Sequence, residues 1–560
     1  MFCQRHTLGV LSAVVLITAP AIAQEAIPKA RPLRPLNVGH ISWKAAGANG
    51  AVTAGGAEAV AAGMEILQRD GNAADAAVAS ILALSVTDAS LFCFGGEVPI
   101  LVYEAKRGVV DVVAGQGAAP QLATHEYFKK YASLPTQGLD VAAVPAALDA
   151  CVVMLERYGT LRFADVAAPT LKLLARHQEP WHADLERTIN RLVEAEKSST
   201  DRSVGLRRVS DLFYRGAIAR ELDAWSRANG GLLRYQDLAT HVTRVEEPVA
   251  ADYRGYTVLK CGAWTQGPAL LEALQILDGF DLSKSGALSA DAIHLSVEAL
   301  KLGLADRDAY YADPLFCEVP LDRLLDASYA EKRRGLVDLK QASQVLRPGD
   351  PRAGAALAGG VSSFEAGEAK PNDTTTCLVA DRWGNVVAAT PSGWSGVLAG
   401  DTGVWLGSRC QSFRKEADHP NCIQPGKRPR ITLTPTIVLK DGKPVIAVSV
   451  AGGDVQDQVT LQMLENLIDF GMTPEQAVTV PRYSTDHHIG SFAQTAPKLG
   501  SLSLNRGIAP EVSEELAKRG HKVTEARGPV GNPIVLRINP ETKQIEAAGD
   551  PRSARHAAAF

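Results

Sequence analysis

Two strand–turn–strand units stand in succession late in this chain, and they limit the folds open to it. "TTTCLVADRWGNVVAAT" (374–390) bends at Trp383-Gly384-Asn385, and "LTPTIVLKDGKPVIAVSVAGGD" (433–454) bends at Asp441-Gly442. A short Gly-containing turn between apolar runs predicts a β-hairpin. What precedes them is mostly helical. In "GGAEAVAAGMEILQRDGNAADAAVASILALSVTD" (55–88) apolar residues recur at three- and four-residue steps, which predicts two helices broken at Arg69–Asn72. Residues 99–117 predict two strands around Lys106–Gly108, residues 144–225 are mainly helical, and 291–314 form a long helix stopped at Asp313-Pro314. Residues 459–478 predict a helix pair. Sheets sandwiched between helical layers accommodate this order, an α/β layered class. With 46% hydrophobic residues over 560 positions, the apolar material for a large core is present.

The first 24 residues, "MFCQRHTLGVLSAVVLITAPAIAQ", have a short basic start, an apolar stretch and Ala21-Ile22-Ala23. That pattern predicts a signal peptide over 1–23, cleaved near Ala23, and a periplasmic or secreted protein. The apolar run is short for a bilayer span, and no span is expected after its removal. A formal net charge of −4 gives no electrostatic case for nucleic acid. Beyond Cys3, the seven cysteines have irregular spacing and no CxxC. They predict buried thiols with at most one bridge, Cys410 and Cys422 being nearest in sequence. His487-His488, read as strand neighbours, would point to opposite faces, so no metal is expected there. No cofactor fingerprint is present.

A loose stretch rich in Gly, Ala and Ser (347–373) ends at Asp373 and runs into Thr374, Thr375 and Thr376. A threonine hydroxyl is a poor nucleophile and needs a base. If backbone scission made it the first residue of a chain, its own α-amine, with a pKa of about 7.7–8.0, could serve. Alone, the triplet reads as an ordinary strand start.

Several further stretches appear with it in one order: "GNAADAAVASILALSVTD" (71–88), "RYGTLRFADVAAPTLKLL" (157–174), "LADRDAYYADP" (304–314), "DTTTCLVADRWGNVVAAT" (373–390), "GKRPRITLTPTIV" (426–438) and "AVSVAGGD" (447–454). Together they resemble the γ-glutamyltransferase family of N-terminal-nucleophile hydrolases, with a leaning toward its oxamate-amidohydrolase-like, non-glutathione branch. The resemblance implies an αββα sandwich made as one precursor and self-cleaved between Asp373 and Thr374. The large subunit would span 24–373 and the small one 374–560, leaving open a dimer of such heterodimers. It also implies Thr374 as nucleophile, with Thr375 as the alternative register. Ser392 becomes the supporting hydroxyl, and Gly452-Gly453 the source of oxyanion-hole N–H groups.

The chain departs from the family where the substrate's amino-acid groups would bind. The carboxylate-binding Arg corresponds to Gln116, the ammonium-binding Asp to Ser412, and a serine pair to Ile431-Thr432. A neutral Gln does not replace a bidentate Arg–carboxylate contact at equal strength. The expected substrate is therefore a small-molecule amide without a free γ-glutamyl zwitterion. Positive side chains do stand nearby: Arg409, Arg414 and Lys427 to Arg430. Arg409 could read a carboxylate in another orientation or be paired within the protein. Trp394 and Trp405 could shape an acyl pocket or pack in the core. The readings left open are an amidohydrolase or acylase, a glutathione hydrolase or γ-glutamyltransferase, and a non-catalytic binding protein that kept the fold.

Overall fold

A computed structural model describes residues 40–352 and 374–560. The expected signal peptide, the Pro-rich arm after it, Asp373 and most of the loose stretch before it lie outside the described residues.

Two seven-stranded sheets form the centre. The first runs His556–Ala559, Gly50–Ala54, Cys377–Asp381, Val386–Ala389, Val98–Glu104, Val109–Gly115, Arg244–Glu246. The second runs Lys44–Gly47, Ile545–Gly549, Asn532–Ile538, Lys443–Ala451, Thr436–Lys440, Tyr256–Lys260, Val249–Tyr253. Every adjacent pair in both sheets is antiparallel. Each sheet mixes strands from before residue 353 with strands from after residue 373.

The side-chain alternation of the first hairpin shows why it lies deep. Leu378, Ala380, Val386 and Ala388 join the layer between the sheets, with Leu259, Trp264, Ile437, Ala447 and Leu536. Cys377, Val379, Val387 and Ala389 face the other way, into the helices. A strand buried on both faces needs apolar residues at every position, and this one has them. Helices Ala57–Gln68, Ala73–Thr87, Ala147–Tyr158 and Phe163–Leu174 contribute to the core on the outer face of the first sheet. Gly267–Leu277, Ala290–Tyr310 and Val455–Ile468 do so on the second. This is the αββα sandwich expected from the sequence.

The break at Arg69–Asn72 is a helix start signal in atoms. Asn72 accepts from the backbone N–H of Ala74 (2.9 Å) and Asp75 (3.0 Å), and Asp75 accepts from Asn72 N–H (3.0 Å). The same helix start ties down the hairpin: Ala73 N–H donates to Asp381 (2.8 Å), which also accepts from Asn385 and Trp383 in the turn.

Some expectations are corrected. The long helix ends at Tyr310, short of the Asp313-Pro314 stop, because Tyr311 turns to extended backbone and puts its hydroxyl 2.5 Å from Glu272. His487 and His488 are not on a strand; they lie in the loop after Tyr483–Ser484. His487 bonds Val345 O (3.0 Å) and accepts from Gly500 N–H (2.8 Å), and His488 stands 3.7 Å from Asp454. Cys410 and Cys422 are not bonded to each other, and both are free thiols.

Candidate active site

Thr374 stands three residues before the strand Cys377–Asp381, at the end of the sheet where the next strand leaves toward Ser392. The two residues form an isolated antiparallel bridge, and Ser392 forms another with Glu97. Ser392 and Glu97 exchange backbone hydrogen bonds at 2.9 and 3.0 Å. The pairing Val98↔Gly115 puts Glu97 one step from Gln116. Thr374, Ser392, Glu97 and Gln116 therefore follow one row across four adjacent segments.

The side chains along this row are buried and connected. Thr374 Oγ1 lies 3.1 Å from Ser392 Oγ. Arg409 Nη2 donates to Ser392 Oγ (2.6 Å), and its Nε donates to Glu97 (2.6 Å). Arg409 and Ser392 are wholly buried, and Glu97 is 2% exposed. A guanidinium enclosed to that degree requires a countercharge, and Glu97 supplies it. Its carboxylate fits because Gly393 has no side chain: a Cβ there would come within 2.7 Å of Glu97 Oε2.

Thr375 has a different setting. Its hydroxyl donates to Asp88 at 2.5 Å, on the helix side of the sheet. A Cβ on Gly55 would sit 2.1 Å from Thr375 Oγ1, so the pocket around this hydroxyl is closed by backbone. Of the first two threonines, only Thr374 meets a second hydroxyl backed by a cation.

The strand Lys443–Ala451 arrives at the same end of the sandwich. Ser449 Oγ lies 2.9 Å from Thr390 Oγ1 and 2.9 Å from Ala389 O, which joins the two sheets just before Ser392. Gly452 and Gly453 follow, with φ of 144° and 59°. Both angles favour glycine. Neither glycine N–H has an acceptor among the described residues, although the carbonyls of both accept from the start of the next helix.

The remaining expected residues lie around this centre without touching Thr374. Gln116 is 3% exposed, donates to Gly117 O (2.8 Å) and leaves its own Oε1 without a hydrogen bond among the described residues. It borders a cavity of about 230 Å³ shared with His241, Asp313 and Arg428. Ser412 is buried on the turn Arg409–Ser412, its hydroxyl also without a partner there. The Thr432 carbonyl, with that of Val450, accepts from the Gln456 amide once that amide is turned to face acceptors. Trp394 and Trp405 pack against each other with ring centres 5.8 Å apart.

Sequence reasoning missed Glu97, since nothing in "FGGEVP" distinguishes it from a surface acid. It also missed how the distant arginines converge. Arg307, Arg414 and Arg430, all buried, surround Asp308 Oδ1 at 2.9, 3.6 and 3.8 Å. Arg307 also donates to Asp454 (2.6 Å), the residue directly after Gly453. Burial alone would raise the Asp454 carboxyl, but Arg307, His488 and Arg430 together hold it well below its usual range.

The chain matches the Gamma-glutamyltranspeptidase family model over residues 59–202 and 206–560. The chain belongs to the gamma-glutamyltranspeptidase family. Members with this αββα architecture are N-terminal-nucleophile hydrolases, and this one is an amide-bond hydrolase of the self-processed acylase kind. It is 32% identical to the acylase ACY 1 proenzyme of Pseudomonas sp. (strain SE83), over 90% of this chain and 92% of that protein. It is 29% identical to a glutathione hydrolase proenzyme of Bacillus subtilis (strain 168), over 89% of each. The cephalosporin acylase of Bacillus halodurans superposes with a TM-score of 0.78 at 27% identity, covering 95% of this chain and 99% of that one. The positions that the resemblance marks in this chain are Thr374, Ser392, Gly452-Gly453, Gln116 and Ser412.

Proposed function

We propose that the protein is exported to the periplasm or beyond, cleaves itself between Asp373 and Thr374, and then hydrolyses a small-molecule amide through Thr374. The observation that carries this reading is the 3.1 Å contact of Thr374 Oγ1 with Ser392 Oγ, itself held by Arg409 at 2.6 Å. Before scission, Thr374 Oγ1 attacks the Asp373 carbonyl and an N-to-O acyl shift yields an ester, which water opens. Scission frees the Thr374 α-amine; an ordinary α-amine has a pKa of about 7.7–8.0, so a group of this kind can serve as a base at about neutral pH.

In turnover the amine takes the hydroxyl proton as Oγ1 adds to the substrate carbonyl. The oxyanion lies against Gly452 and Gly453 N–H groups, which have no acceptor among the described residues. The leaving amine takes the proton, and water then attacks the acyl-threonine by the same path. Ser392 accepts the Arg409 hydrogen bond and turns its own hydrogen toward Thr374 Oγ1, a polarity that favours the alkoxide. Neutral Gln116 and Ser412 support a substrate without a free α-carboxylate and α-ammonium pair. Export rests on the basic, apolar and Ala-x-Ala pattern of residues 1–23.

Intact mass and N-terminal sequencing of the purified protein beside Thr374→Ala test this. The expected result is two fragments in the wild type, the smaller starting at Thr374, and one uncut chain in the variant. An uncut wild type removes the base and with it the mechanism, and leaves the binding-protein reading. Rapid cleavage of γ-glutamyl-p-nitroanilide would favour the γ-glutamyl reading, which the glutathione hydrolase relatives keep in view.

A further inference from the structure

Two half-buried thiols that the chemistry above does not use stand near each other. Cys93, Cys151, Cys261, Cys377 and Cys410 are buried, whereas Cys317 and Cys422 are each partly open to solvent. Cys317 lies in the loop after the long helix Ala290–Tyr310, and Cys422 in the loop that leads to Arg430. The two loops pack together. Cys317 Sγ lies 3.9 Å from Pro420 O, two residues before Cys422. The Lys427 ammonium donates to the same carbonyl and stands 6.0 Å from the ring centre of Phe316, the residue before Cys317. His419 Nε2 bonds Asp308 O at 2.9 Å, which fastens the second loop to the helix that carries the first.

Two residues of chain span about 7 Å at most, so Cys422 stays close to the Cys317 sulfur. Electrostatics reports the same neighbour. Burial pushes the Cys317 thiol up, Lys427 draws it down, and Asp313 and Cys422 add to the rise. Neither sulfur has a strong partner to lose. Cys317 Sγ meets only the Asp313 and Pro420 carbonyls, at 3.8 and 3.9 Å, and Cys422 Sγ has no hydrogen bond among the described residues. Cys151 and Cys377 are also neighbours, since Cys377 adds to the rise of the Cys151 thiol, but both are wholly buried and out of reach of an oxidant. Cys410, nearest to Cys422 in sequence, is buried with its thiol 3.8 Å from Ala142 O.

The exposed pair straddles the expected cut. Cys317 belongs to the 24–373 chain and Cys422 to the 374–560 chain. An exported protein meets an oxidising compartment, where disulfides form and persist. We propose that Cys317 and Cys422 are a modification site, at which oxidation forms a disulfide between the two chains. This rests on the export and scission reading given above. The oxidant is a disulfide compound. One cysteine thiolate attacks a sulfur of that compound and releases its first thiol; the other cysteine thiolate then displaces the second. One S–S bond forms in the protein, one breaks in the oxidant, and the two protein protons pass to the two released thiols. The new bond replaces the peptide link that scission removes and keeps the chains at about millimolar effective concentration.

Intact mass without reductant tests the bond. Purified, self-cleaved protein is incubated with oxidised glutathione, alkylated and weighed before and after reduction. The expected result is one species that holds both chains and is lighter than their sum by two hydrogen atoms, which reductant splits into two. Cys422→Ser should give two separate chains without reductant, while Cys151→Ser should leave the linked species unchanged. Separate chains in the oxidised wild type, with or without glutathione attached, overturn the disulfide, as does a link that survives in Cys422→Ser. A wild-type chain that stays uncut sinks the scission reading instead; a cross-linked peptide joining Cys317 to Cys422 in its tryptic digest, present or absent, then decides the bond by itself.

Discussion

Glu97→Gln is the perturbation that most directly asks what the buried pair behind Ser392 does. The substitution keeps the shape and one acceptor oxygen 2.6 Å from Arg409 Nε but removes the countercharge. Breaking a buried ion pair by altering one partner costs about 3–5 kcal/mol, and the retained hydrogen bond puts the expectation near the lower figure. Unfolding entropy runs at about 2.1 cal/mol/K per residue, so over roughly 500 ordered residues a loss of ~3 kcal/mol lowers the Tm by only about 3 °C. The same ~3 kcal/mol delivered to a transition state slows a rate by about 150-fold. The assays are a thermal melt and a time course of self-cleavage by intact mass. The expected result is a small drop in Tm with cleavage slowed about a hundredfold. A variant that melts about 3 °C lower yet cleaves at the wild-type rate would refute the idea that Glu97 acts through Arg409 on Ser392.

Two further outcomes follow from named atoms. Gly452→Ala forces a side chain onto a residue at φ 144° and puts its Cβ 2.7 Å from Val455 Cγ2, so the N–H it carries shifts; amide turnover should fall by about 10²–10³ while the fold persists, measured as kcat beside a circular-dichroism melt. Glu465 is buried on Val455–Ile468, 2.6 Å from Ser296, and burial pushes its carboxyl up to about 8. The folded state then holds a proton that the unfolded chain releases above about pH 4.5, so this contribution is complete below that value and is lost as pH rises through about 8. Glu465→Gln should flatten the decline, seen as a higher Tm than wild type at pH 9.

Much of the sandwich was legible because its signals are local. The hairpins announced themselves as apolar runs around Gly-containing turns, and Asn72 marked a helix start through hydrogen bonds to its immediate neighbours. The resemblance pointed to Thr374 and the glycine pair, and the structure adds that the Thr375 hydroxyl is already committed to Asp88. The His487-His488 strand failed because His487 is held by Val345 and Gly500, partners that periodicity does not register. Glu97 was illegible for a deeper reason. An acid reads as surface by default, and the group that lets this one be buried lies 312 residues away. The arginine cluster draws on four separate stretches, so no window of sequence contains it.

The interleaving of strands from either side of the 353–373 stretch bears on what a cut would leave behind. Gly50–Ala54 lies between Cys377–Asp381 and His556–Ala559, and Tyr256–Lys260 pairs with Thr436–Lys440. Two polypeptides woven in this way share five of the twelve ladders in the two large sheets, so each alone would be left with unpaired strand edges. With its thiols reduced, separating the two pieces of a cut protein of this design means breaking those ladders and the apolar layer between the sheets. The uncut chain also keeps its partners tethered at high effective concentration, an advantage that scission removes. Such a molecule gets one opportunity to assemble; once melted, the severed halves face each other as strangers in solution, and its working lifetime is set by how slowly it first comes apart.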